Sequence, residues 1–81
     1  MSDQPKLILK RSELAHAGFE DYDVLSEGKH VGRIYRDPRK SSGKAWFWGL
    51  AHPYHRGLGS HGYEATREAA MAAFRKSWLR E

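Results

Sequence analysis

The sequence has no cysteine, only three prolines, and no apolar run long enough to span a bilayer. Without cysteine there are no disulfides, no thiolate nucleophile and no cysteine-based zinc site, a usage that fits a reducing compartment. The longest apolar stretch, Ala45 to Ala51, falls far short of the roughly 20 residues a membrane helix needs. Met1 to Lys10 lacks the apolar core of a signal peptide. Together these absences predict a soluble, cytoplasmic protein that does not enter membranes.

With 81 residues there is material for one hydrophobic core and little from which to carve a catalytic cleft. Residues 1–5 are polar, end in a proline and read as a disordered tail, which leaves 6–81 as a single domain. The net charge of +4 is unevenly divided. Residues 1–28 carry three basic and six acidic side chains, 29–44 carry six and one, and 45–81 carry five and three. A basic cluster of this density can hold an anionic partner although the total charge is modest.

The spacing of apolar residues predicts an α+β fold, a three-stranded antiparallel sheet packed on one C-terminal helix. Tyr22 to Leu25 alternates, Ser26-Glu27-Gly28-Lys29 supplies turn chemistry, and His30 to Tyr35 alternates again, the pattern of a β-hairpin. With Gly28 as a left-handed bulge residue, Leu25 faces Lys29; Val24, Gly32 and Ile34 share the buried face, and Val31, Arg33 and Tyr35 point outward. A two-residue Glu27-Gly28 turn would instead slip that register by one. Asp37 to Lys44 reads as a mobile loop, and Ala45 to Leu50 as the third strand, with Trp46 and Trp48 inward and Phe47 outward.

Ala51 to Gly62, with Pro53, Gly57, Gly59 and Gly62, reads as a long loop. Thr66 is a good N-cap for a helix over about Arg67 to Arg80, with Glu68 in its first turn and Arg75, Lys76 and Arg80 toward its end. The core is predicted to centre on Val24, Ile34, Trp46, Trp48, Ala70, Ala73 and Phe74. The segment from Lys6 to Phe19 is mixed, with Leu7-Ile8-Leu9 reading as a short strand and Ser12 to Ala17, closed by Gly18, as one helical turn.

Several motifs invite chemistry and lack the context it requires. Gly57-Leu58-Gly59-Ser60-His61-Gly62 matches the glycine string of dinucleotide sites, but that fingerprint needs a following strand with an acid about 20 residues on, and the helix occupies that stretch. His52, His55 and His61, with Glu64, offer metal ligands at a spacing that fits no familiar zinc geometry. Ser60, His61 and Glu64 are neighbours on a loop and form no triad in a pocket. No catalytic residue, cofactor or metal is predicted, and the protein is read as a non-enzyme.

The basic stretch gives the functional expectation. Lys29, Arg33, Arg36, Arg39, Lys40 and Lys44 fall on the second predicted strand and its following loop, with Tyr35 and Phe47 outward beside Arg33. Basic side chains neutralise phosphates and aromatic rings stack on bases. These eight residues are the predicted nucleic-acid site, with DNA as the ligand. The alternative is a protein-interaction module, using the same aromatic face against an acidic protein surface, in a monomer or weak homodimer.

Two resemblances accompany this reading. Tyr22 to Leu25, Gly32 to Tyr35, Trp46-Phe47-Trp48 and Gly62 to Ala70 look like a family of small bacterial proteins, which implies no activity. Ile34 to Lys40, then Trp46-Phe47-Trp48-Gly49 and the alanine-rich helix, resemble the AP2 DNA-binding domain and the arm-binding domains of phage-type integrases. That second resemblance implies a three-stranded sheet laid in the DNA major groove, with Arg33 and Arg36 contacting DNA and Phe47 presented outward. Asp21 and Asp23 stand where AP2 domains carry arginines, and the 12 residues Ala51 to Gly62 have no counterpart there.

Overall fold

The computed structural model describes residues 6–12, 20–40, 43–52, 54 and 57–79. The hairpin anticipated over Tyr22 to Tyr35 is its centre, formed by β2 (Asp21–Ser26) and β3 (Lys29–Arg36). Ser26 faces Lys29, so the connection is the two-residue turn. Glu27 and Gly28 both have positive φ, 51° and 82°, as a type I′ hairpin turn demands. The predicted pairing of Leu25 with Lys29 is therefore wrong at the turn. The irregularity lies farther on, between Val24 and Leu25: Leu25 faces His30 while Val24 faces Gly32. Val31 is the extra residue of this bulge. It turns inward and is buried, against the expectation that it points out. Val24, Gly32 and Ile34 do share the buried face.

The sheet has five antiparallel strands in the order β1-β2-β3-β4-β5, not the three expected. β1 (Leu7–Arg11) pairs along β2, and β5 (His61–Glu64) pairs along β4 (Trp46–Leu50). The strand read at Leu7 to Leu9 is present, two residues longer. The helical turn falls on residues outside those described, as does the predicted tail over 1–5. β5 begins inside the stretch read as loop, which included its first two residues, His61 and Gly62. It is an edge strand held by main-chain pairing, so it needs no hydrophobic alternation of its own. Gly62 at its centre leaves room for the Trp48 indole, whose Nε1 would stand 3.0 Å from a β-carbon there.

The one α-helix among the described residues, α1 (Arg67–Leu79), lies over one face of the sheet against β3, β4 and β5. Thr66 caps it as expected, its Oγ1 accepting a hydrogen bond from the Ala69 amide at 3.0 Å. The Ser77 hydroxyl donates to the Gly59 carbonyl at 2.7 Å, pinning the 3-10 turn Gly57–Ser60 to the helix. The predicted core residues are all buried except Ala73, which packs against the cluster partly exposed. Leu7, Val31 and Leu50 join them. No helix among the described residues is long and apolar enough to cross a membrane.

Phe74 is fully buried and rests on Gly32, where the sheet presents bare backbone. A β-carbon at 32 would strike the Phe74 ring and the Gly49 carbonyl oxygen. Gly32→Ala is therefore expected to lower the unfolding free energy by about 1–3 kcal/mol or more, the usual effect of overpacking. Gly43→Ala, with open space around it, should stay within about 0.5 kcal/mol. Urea denaturation of the two variants checks the contrast.

Candidate functional site

Strand alternation sends every second residue to the face that α1 does not cover, and no described element packs on that face. The strand pairing brings Tyr35, Phe47 and Tyr63 into one row across β3, β4 and β5. Their ring centroids are 5.0 Å apart for Tyr35 and Phe47, and 5.4 Å for Phe47 and Tyr63. One step along the strands, Arg33, Gly49 and His61 form a parallel row, with His61 6.3 Å from the Phe47 ring. All three rings of the first row are partly exposed. Burial and the neighbouring Tyr63 raise the Tyr35 hydroxyl above its ordinary pKa, so it keeps its proton near neutrality.

Cations rim this row. The Arg33 guanidinium lies 4.7 Å from the Tyr35 ring centre and the Lys40 ammonium 4.2 Å from that of Tyr63, both within the range of cation–π attraction. Arg39 stands in the same loop as Lys40, its guanidinium paired with Asp37 at 3.2 Å. The acids of β2 temper the positive charge: Arg33 donates to Asp21 at 2.7 Å, and His30 meets Asp23 at 3.2 Å. Among the described residues no carboxylate lies within ion-pair reach of Lys40.

The eight predicted site residues therefore do not form one patch. Arg33, Tyr35, Phe47 and Lys40 converge on the open face, with Arg39 at its rim. Arg36 does not join them: it shares alternation with Ile34 and Trp46 and lies on the helix side of the sheet, exposed at the strand end. Lys29 stands at the hairpin turn, at the opposite end from the β3–β4 loop, beside Val31, Tyr54 and Trp78. Lys44 is exposed in the loop before β4. Tyr63 and His61 were missed. The alternation of His61-Gly62-Tyr63-Glu64 was the available signal, and it is submerged in the glycine string.

The competing motifs resolve differently. The glycine string forms a 3-10 turn and an antiparallel edge strand, without the strand-to-helix turn that cradles a pyrophosphate. Glu64 accepts a hydrogen bond from the Trp48 indole at 3.3 Å. No group of three or more metal-ligating side chains occurs among the described residues, and His55 lies outside them. Comparison with protein-family models, curated proteins and solved structures gives no match for this chain.

The loop that carries Lys40 to Tyr63 is organised by Asp37, which is 3% exposed. Its carboxylate accepts from the Arg39 amide at 3.0 Å and from the Arg39 Nε at 3.2 Å, and its main chain bonds Ala45 and Lys40. Those bonds to Arg39 hold the carboxyl below its usual range. A depressed folded-state value means that the stabilisation is present above the ordinary carboxylate pKa of about 4 and is lost as pH falls through the folded value. Asp37→Asn should accordingly be less stable than the wild type at pH 7, with the difference shrinking below about pH 4. Urea unfolding at pH 7 and pH 3 tests it.

Proposed function

We propose that this protein binds single-stranded nucleic acid on the open face of its sheet. The observation that carries the reading is the row Tyr35, Phe47 and Tyr63, rimmed by Arg33, Arg39 and Lys40, on a face the helix leaves uncovered. Stacking on such rings is worth about 1–3 kcal/mol per base and tolerates any sequence, because every base has a π face. Nearby cations take the phosphates.

Sheet width favours a single strand over a duplex. Five strands spaced about 4.8 Å apart are roughly 19 Å across before side chains, whereas the major groove is about 12 Å wide. A three-stranded sheet fits that groove and this one does not lie flat in it, so the duplex-docking geometry implied by the AP2 resemblance is set aside. The charge argument points the same way. Asp21 and Asp37 engage Arg33 and Arg39, leaving less net positive field than the basic stretch suggests and giving the aromatic rings the larger share of the binding.

The test is an anisotropy titration with a labelled oligothymidylate of about ten nucleotides, single-stranded and in duplex, at about 50 and 200 mM salt. The strand should bind at least about tenfold tighter than the duplex and weaken with salt, and Phe47→Ala should lose about tenfold or more. Arg36→Gln and Lys29→Gln, off this face, should stay within about twofold. Duplex binding as tight as that of the strand, or an Arg36→Gln loss equal to that of Phe47→Ala, would overturn the reading. A protein partner on the same face would leave both oligonucleotides unbound at low salt.

A further inference from the structure

Beside the aromatic row the open face sinks into a hollow of about 320 Å³ between His30, Arg33, Phe47, Gly49 and His61. That volume lies at the lower end of the range for small-molecule sites, about 300–1,000 Å³, and suits a ligand carrying one ring system. Gly49 opens its floor. The Phe47 ring leans over this glycine, and a β-carbon at 49 would stand 2.9 Å from Phe47 Cζ, so the missing side chain lets the ring lie close to the sheet as one wall of the hollow. The polar lining is of one kind: a guanidinium and two imidazoles, with no carboxylate. The nearby acids act from the β2 side, Asp21 on Arg33 and Asp23 on His30, and so orient two of those donors.

A flat apolar wall beside three nitrogen-bearing side chains matches a planar ring joined to an anion. We propose that the hollow seats one nucleotide of the bound strand, its base against Phe47 and its phosphate among His30, Arg33 and His61. This assignment rests on the single-strand reading of the face. It adds a discrete subsite to a surface that would otherwise only stack, one that takes a base together with its own phosphate. The guanidinium supplies a charged fork for the phosphate oxygens, and the imidazoles supply ring nitrogens on either side.

The experiment follows amide shifts of the whole chain in three titrations, with oligothymidylate, thymidine monophosphate and thymidine. The oligonucleotide should shift the row residues Tyr35, Phe47 and Tyr63 together with Gly49 and Leu50. The monophosphate should shift Gly49 and Leu50 and bind about tenfold tighter than thymidine, an advantage that Arg33→Gln removes. Row shifts from the oligonucleotide with Gly49 and Leu50 unmoved, or equal binding of monophosphate and thymidine, would overturn the subsite and leave the single-strand reading standing. An oligonucleotide that moves nothing on the face removes both.

Discussion

The seat of Phe74 on Gly32 is the contact on which the other features depend. A phenyl ring from the helix reaches the sheet where β3 has no side chain, so α1 can lie close over β3, β4 and β5. Trp48 packs edge-on to the same ring, at 6.4 Å and 72°, and its indole extends over Gly62. Dense packing of this sort leaves few voids and transmits small displacements. Because one side of the sheet is consumed by a single helix, every aromatic that alternates the other way is left to the solvent side. The open face is the complement of the core, set by the same pairing.

That pairing also explains why charge read in blocks along the chain misleads. Residues 1–28 are acidic and 29–44 basic, which suggests two separate electrostatic regions. Antiparallel pairing lays β2 against β3, so Asp21 meets Arg33 and Asp23 meets His30. The basic stretch is matched by its own hairpin partner. In the following loop, Asp37 does the same for Arg39. What survives is a face in which oriented donors and rings count for more than bulk charge.

How much was legible in the sequence depended on whether a feature's cause is local. The Thr66 cap, the helix, the hairpin and the inward tryptophans each have strong short-range signals, and these elements are present, the hairpin with a two-residue turn in place of the bulged one preferred for it. The two edge strands were harder because their stability comes from hydrogen bonds to neighbours far along the chain, and Gly62 in β5 carries the signature of a turn. The bulge at Val31 was hidden for the same reason: it records a mismatch between two strands, which neither contains alone. For the candidate site, Arg33, Tyr35 and Phe47 were readable from alternation. Tyr63 and His61 were not, because finding them required knowing that β5 is a strand.

The bulge has one more effect. Ordinary alternation would put His30 with Gly32 and Ile34, away from Arg33. The extra residue makes Val31 and Gly32 both face the core, so His30 and Arg33, an odd number of positions apart, come to the same side. The open face is thus written in the length of β3 as well as in its letters. Loss of Val31 would take one side chain from the core yet keep every polar group of the open face, and the change of count alone would aim His30 at the wrong side of the sheet.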